Sequence, residues 1–347
     1  MDLSDRPPAA AASLLHHDPW PESAAARDAF VLSRRRVRRP KDPWGAPRVL
    51  VEDECAADGA VVRSATIFLV GRECPWRCVM CDLWTQTLEG DTPRAALPAQ
   101  IHLACRQLEG PRPAQVKLYN AGSFFDPRAV PESDYEAMAL TVAGFRRVVV
   151  ESHPRLIGPR LLRWRDALER AAPDAGPPSL EVAIGLETAH AAALERLHKR
   201  FTLDDFARAA DATLAAGAAI RVFLLVGVPF IPREEQRAWL RASVSYAFGR
   251  GASLVSLIPT RPGNGALDAL AAAGLFDQPG LHDFEDALDA VLPDAYGRVL
   301  ADTWDLEALS RCGACFPSRR ARLAAMNLTQ QTLPRVACGA CAAGVPA

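Results

Sequence analysis

From Arg48 onward the chain alternates short aliphatic and β-branched runs with longer segments of helical periodicity. Residues 48–52 and 60–63 read as a hairpin leading into the run Ala65-Thr-Ile-Phe-Leu-Val70. Further strand-like runs lie at 115–119, 147–150, 180–184, 220–226 and 254–258. Amphipathic segments at 95–109, 132–144, 158–172, 189–197, 203–217 and 233–249 separate them. Strands alternating with helix-length segments predict βα units and a parallel sheet. Most of these strands are apolar along nearly their whole length, so both faces of the sheet must be covered. The expectation is an α/β fold: a partial (β/α)6 TIM-type barrel over 48–265, followed by a C-terminal metal-binding extension over 266–347.

The barrel reading says where chemistry belongs, because parallel α/β folds carry their sites at the carboxyl ends of the strands. Just past those ends stand the loop 74–81, Asn120-Ala-Gly-Ser123, Glu151-Ser-His153, Gly185-Leu-Glu187 and Gly227-Val-Pro229. His153 and His198 read as hydrogen-bonded structural residues. Lys117 and Tyr119 alternate with apolar neighbours, and read either as groups pointing at a substrate or as the polar layer of a barrel interior. Trp76, Trp84, Phe124 and Phe125 fit equally the wall of a cofactor pocket and ordinary packing.

Composition narrows the class. The chain has 347 residues, 49% hydrophobic and 23% charged, as in soluble globular proteins. A net charge of −1 supplies no global field toward nucleic acid or membrane. No apolar run approaches a membrane span and the start has no signal-peptide core, which predicts a cytoplasmic protein without membrane contact. Residues 1–47, rich in Ala, Pro and Arg, read as a flexible N-terminal segment. Its run Arg34-Arg-Arg-Val-Arg-Arg-Pro-Lys41 is either a solvated tail or an arm for a polyanion.

Seven of the nine cysteines fall in tight groups, at 74, 78 and 81, at 312 and 315, and at 338 and 341. In a cytosolic chain such groups read as metal sites. Cys55 and Cys105 read as small apolar residues. The first group lies in Cys74-Pro-Trp-Arg-Cys78-Val-Met-Cys81, directly after a strand. Thiolates are the ligands that iron–sulfur clusters select, and three with no fourth nearby leave one iron of a 4Fe–4S cube open. A zinc site borrowing a distant fourth ligand is the competing reading, but zinc cysteines usually come as paired knuckles.

This loop resembles the signature of the radical S-adenosylmethionine superfamily. The likeness runs over residues 61–262, in the order of the branch that holds Elongator-type tRNA-modifying enzymes and methylthiotransferases. The resemblance implies that Cys74, Cys78 and Cys81 hold a 4Fe–4S cluster whose open iron binds S-adenosyl-L-methionine. One electron from a low-potential donor of flavodoxin or ferredoxin type then releases a 5′-deoxyadenosyl radical that abstracts hydrogen from a substrate. Asn120, Ala121, Gly122 and Ser123 occupy the segment that positions the methionyl amino group, where the branch usually has Gly-Gly-Glu. Glu151 and Ser152, before His153-Pro154, resemble the pair that closes the third strand. Glu187 stands where a polar residue contacts the ribose, Met80 where an apolar residue packs on adenine. Gly227 would let the backbone approach the adenosine.

The C-terminal cysteines form two identical knuckles, Cys312-Gly-Ala-Cys315 and Cys338-Gly-Ala-Cys341, which can close a tetrahedral site. The ligand set suits zinc or a second 4Fe–4S cluster. Arg311, Arg319, Arg320, Arg322 and Arg335 around them read either as an RNA phosphate contact or as a solvated helix face. The function expected from all this is a radical S-adenosylmethionine enzyme acting on a tRNA base or nucleoside, with tRNA as a partner. The alternatives are the same chemistry on a small metabolite or peptide, and a non-enzymatic iron–sulfur or zinc protein that binds nucleic acid.

Overall fold

The computed structural model describes residues 19–174 and 176–342. Among them, eight strands form one sheet in sequence order: β1 (Arg48–Cys55), β2 (Val61–Phe68), β3 (Gln115–Tyr119), β4 (Arg147–Ser152), β5 (Ser179–Glu187), β6 (Ala219–Val226), β7 (Ala252–Pro259) and β8 (Arg298–Ala301). β1 is antiparallel to β2 and every later pair is parallel. β1 and β2 pair along their full length, Arg48 opposite Phe68 and Cys55 opposite Val61. The hairpin and the apolar run expected to follow it are therefore one pair of strands.

The helices are α1 (Ala24–Ser33), α2 (Ala96–Arg106), α3 (Tyr135–Val142), α4 (Pro159–Ala171), α5 (Ala191–Arg196), α6 (Leu203–Ala215), α7 (Gln236–Gly249), α8 (Ala266–Ala272), α9 (Leu281–Val291), α10 (Phe316–Thr329) and α11 (Gly339–Ala342). Each amphipathic segment expected between strands contains one. α6 starts at a reciprocal cap: the Thr202 hydroxyl accepts from the Asp205 N–H and the Asp205 carboxylate accepts from the Thr202 N–H. None of the described helices is long and apolar enough to cross a membrane.

Outward-facing strand residues such as Ile67, Leu118, Val150, Ile184 and Val222 are fully buried under the helical layer. The inward face is different. Lys117 Nζ lies 2.5 Å from Glu54, Arg221 reaches Glu54 at 2.6 Å and Glu181 at 2.5 Å, and all four are buried. β1 and β6 are five strands apart in the sheet, so Glu54 can meet Arg221 only because the sheet curls into a half-barrel. Lys117 thus belongs to a paired polar layer inside the barrel, where each charge is satisfied by a neighbour.

β8 was not expected from the sequence. It does not pair with β1; side chains bridge the seam instead. Arg298 Nη1 donates to the Cys55 carbonyl at 2.7 Å, and Trp304 Nε1 donates to the Glu52 carboxylate at 3.0 Å. α10 packs on both β1 and β8, burying Leu323 and Met326. The segment 19–47 also departs from expectation: α1 is packed, not flexible. Its Phe30 and Val31, with Trp20, form a second core with Leu197, Leu267 and Leu270, partners remote in sequence. Residues 1–18 lie outside the described residues.

Candidate active site at the strand ends

The three-cysteine loop leaves β2 and is stitched to four other segments. The Glu73 N–H donates to the Leu88 carbonyl, the Val79 N–H to the Leu197 carbonyl at 3.1 Å, and Asn264 Nδ2 to the Val79 carbonyl at 2.7 Å. Glu73, next to Cys74, binds Arg35 at 2.7 Å, Arg77 at 3.1 Å, and Arg38. Arg35 and Arg38 also lie over the buried Trp84 ring. Burial alone would raise the Glu73 carboxyl, but the Arg35 and Arg38 hydrogen bonds and the Arg35 and Arg77 charges pull it below the usual range. Two arginines of the basic run are therefore clamps on the cysteine loop, while Arg36 and Arg39 face solvent.

Trp76 of the same loop stacks on His153 at 3.6 Å with 10° between the rings. His153 Nε2 meets the Lys199 carbonyl at 2.7 Å and Nδ1 accepts from the Arg155 N–H. Burial, then the Lys199 charge, push this imidazole down to about 3. It is neutral with the proton on Nε2 and ties together three rim segments, in keeping with a structural histidine.

The expected site residues gather on this rim. Asn120 is fully buried, and its Oδ1 and Nδ2 have no hydrogen-bond partner among the described residues. Its N–H donates to Glu151 Oε1 at 2.8 Å, and the Ala121 and Gly122 N–H groups also point at that carboxylate. Burial pushes Glu151 up to about 7 against those three donors. The Glu151 side chain thus holds the 120–122 turn, in which Ala121 has φ +54°. The turn lies against the cysteine loop, a Cβ on Gly122 being 3.6 Å from the Cys74 nitrogen. Ser123 accepts from the His153 N–H at 2.8 Å, and Ser152 is buried beside it.

Glu187 ends β5 with φ +68° and pairs with Lys199 Nζ at 2.5 Å, both nearly buried. A Cβ on Gly185 would come 2.5 Å from the Glu187 carboxylate and 2.6 Å from the ammonium, so only glycine leaves room for this pair. Burial would lower Lys199; the Glu187 charge and the facing Cys78 and Cys74 thiols raise it. Lys199 was not among the expected site residues. Its signal was its place in Leu197-His-Lys-Arg200, directly beyond the Glu187 motif, where His198 and Arg200 also have positive φ. Positive φ thus recurs at four of these rim positions, Ala121, Glu187, His198 and Arg200.

Met80, in the cysteine loop, also packs against the second core, and Gly227, φ +77°, faces Pro279, whose ring a Cβ would strike at 2.6 Å. Phe124 and Phe125 pack with Tyr135 and Trp164 under the helices, so for them packing is the reading that holds. Burial pushes the Cys74 thiol up to about 12, Cys81 to about 11, and Cys78 upward too. They become thiolates only when a metal replaces their protons. Three soft donors, a buried cation and an unpartnered buried amide fit a cluster carrying a small polar ligand.

No family model matches the chain. It is 29% identical over 164 residues to archaeosine synthase subunit beta of Thermococcus kodakarensis, covering 46% of this chain and 48% of that one. It is 22% identical over 210 residues to the protein of the same name from Methanosarcina acetivorans, covering 58% and 59%. The chain thus spans about half the length of these curated relatives. The Cys74–Trp84 run and the run Tyr119-Asn-Ala-Gly-Ser-Phe-Phe-Asp-Pro127 resemble the radical subunit of archaeosine synthase. Among solved structures, methylornithine synthase matches with a TM-score of 0.52 and 17% identity over 77% of this chain and 69% of that one, a likeness of fold. In motif order and in fold, this chain resembles the radical S-adenosylmethionine enzymes.

Proposed function

We propose that this protein is a radical S-adenosylmethionine enzyme. The observation that carries the reading is the buried, unpartnered Asn120 amide on a turn packed against a loop with three cysteines. Cys74, Cys78 and Cys81 would hold the 4Fe–4S cluster. The Asn120 amide and the Lys199–Glu187 pair would meet the polar groups of S-adenosylmethionine, and the 120–123 turn, fixed by Glu151, would orient them. When bound, cluster and S-adenosylmethionine together supply a 5′-deoxyadenosyl radical that abstracts hydrogen from a substrate. The chain's own part is to orient, to exclude water and to keep a fixed charge beside the thiolates. The test is anaerobic reconstitution and reduction: 5′-deoxyadenosine should form, and its absence from a cluster-loaded protein sinks the reading.

The substrate we favour is a tRNA base or nucleoside, as the branch resemblance and the name of the curated relatives suggest. A low-potential electron donor and, by analogy with a subunit, a second polypeptide would be its protein partners. One observation favours a small metabolite instead. Half of the arginines that suggested RNA are paired with carboxylates: Arg35 and Arg38 with Glu73, Arg319 with Glu285, Arg322 with Glu285 and Asp289, Arg335 with Asp286 and Asp289. Salt-dependent tRNA binding separates the two, because phosphate contacts release counterions and small-substrate binding does not.

A further inference from the structure

The second cysteine constellation belongs to the C-terminal segment of the chain. Cys312 follows β8 and Cys315 caps α10, while Cys338 and Cys341 arrive on the tail beyond that helix. All four sulfurs lie within 4.8 Å of one another. Cys312 Sγ is 3.9 Å from Cys338 Sγ, and Cys315 Sγ is 3.7 Å from Cys341 Sγ. With a zinc–sulfur bond of about 2.3 Å, the edge of a tetrahedron of thiolates is about 3.8 Å. A 4Fe–4S cube places each cysteine on a different corner iron and spreads its sulfurs far beyond that edge.

We propose that these four cysteines bind one tetrahedral zinc ion, and that Arg319 is its positioning residue. Arg319 Nε donates to Cys315 Sγ at 3.1 Å, and its Nη2 donates to the Val336 carbonyl. Its neighbour one helical turn on, Arg322, donates to the Leu333 and Pro334 carbonyls. The tail that carries the second knuckle is thereby held over the first. Both guanidiniums are buried, and Glu285 of α9 pairs with both. Four thiolates around a divalent ion carry two excess negative charges, and the Arg319 N–H on a ligand sulfur offsets part of them.

The placement gives the ion a task. α10 covers the seam between β8 and β1, and the site holds its N-cap residue, Cys315. Zinc would thus act as the clip that keeps the side of the half-barrel shut.

The test uses the full chain with Cys74, Cys78 and Cys81 replaced by Ala, which removes the first cysteine group and leaves the second intact. Metal analysis after purification should find one zinc per chain. Cobalt(II) exchanged into the site should show the intense visible bands of a tetrahedral thiolate complex. Four irons with sulfide after anaerobic reconstitution, a single iron in place of zinc, or a metal-free protein with its four thiols oxidised would each overturn the proposal. Wild-type protein measured alongside guards against misfolding of the triple variant: it should hold the same zinc in addition to any iron. Arg319→Lys should loosen zinc about ten- to a hundredfold in chelator competition, with circular dichroism unchanged. Unchanged affinity would remove Arg319 from the site. None of these readouts depends on 5′-deoxyadenosine formation, so the metal assignment and the proposed activity fail separately.

Discussion

The molecule has two cysteine regions built on opposite plans. The strand-end group is a single loop of eight residues with three cysteines; the C-terminal group joins two knuckles whose four sulfurs lie within 4.8 Å of one another. Around the first, order comes from neighbours: Arg35 and Arg38 on Glu73, His153 on Trp76, Asn264 on the loop carbonyls. Around the second, order reaches the ligand itself, through Arg319 on Cys315. The contrast lies in what holds the cysteines: on the proposed readings, a loop held at its edges would take a cube and a further ligand, and a knuckle pair held at its sulfurs would take one ion.

The largest expected effect separates the regions outright. Cys78→Ala should reduce S-adenosylmethionine cleavage to background, whereas Cys338→Ala should retain cleavage and lose chiefly stability, read as 5′-deoxyadenosine yield beside urea denaturation. Equal loss of cleavage in both, with the fold intact, would erase the distinction. Next comes the buried pair beside the loop. Lys199→Ala leaves Glu187 uncompensated and should destabilise by about 3–5 kcal/mol, whereas replacing both by apolar residues should recover most of that. A double variant as unstable as the single one would show the pair is not the cause.

A smaller effect concerns the clamp. Arg35→Ala with Arg38→Ala leaves Glu73 only Arg77 among its arginine partners here, and should cost about 1–3 kcal/mol. It should also speed oxygen bleaching of iron absorbance at the strand-end loop, with zinc content unchanged. The smallest effect is in pH. Glu151 is raised to about 7 in the fold, so the native state holds a proton that the unfolded chain has released. Its contribution therefore lowers stability as pH rises from the ordinary carboxyl range to about 7. His153, lowered to about 3, acts in the opposite sense and removes stability as pH falls below the ordinary imidazole range. Glu151→Gln should flatten the first slope and leave the second, measured as denaturation midpoints across that window.

Much of this was legible in the chain. The six apolar runs became β2 to β7 because burial of the outer face demands an aliphatic side chain at every second position, which leaves a local pattern. β8, four residues beginning with Arg298, carries too little pattern to be seen. α1 was hidden because Trp20, Phe30 and Val31 are apolar only sporadically, and their partners lie far along the chain. The basic segments misled for a related reason. Arg319 and Arg322 look like a solvated face until Glu285, more than thirty residues earlier, is folded against them.

By itself the sequence determined the order of β2 to β7 and of the helices between them, the rim on which chemistry-bearing residues collect, and the two cysteine groups. These follow from local periodicity, from spacing and from motif resemblance. Only the tertiary structure decided that Lys199 faces the cysteine loop, that Glu151 holds a turn, that two arginines of the basic run clamp Glu73, and that four C-terminal sulfurs lie within 4.8 Å of one another. Each is a contact between segments distant in the chain, and the free energy of such a pairing depends on burial and distance that no local pattern encodes.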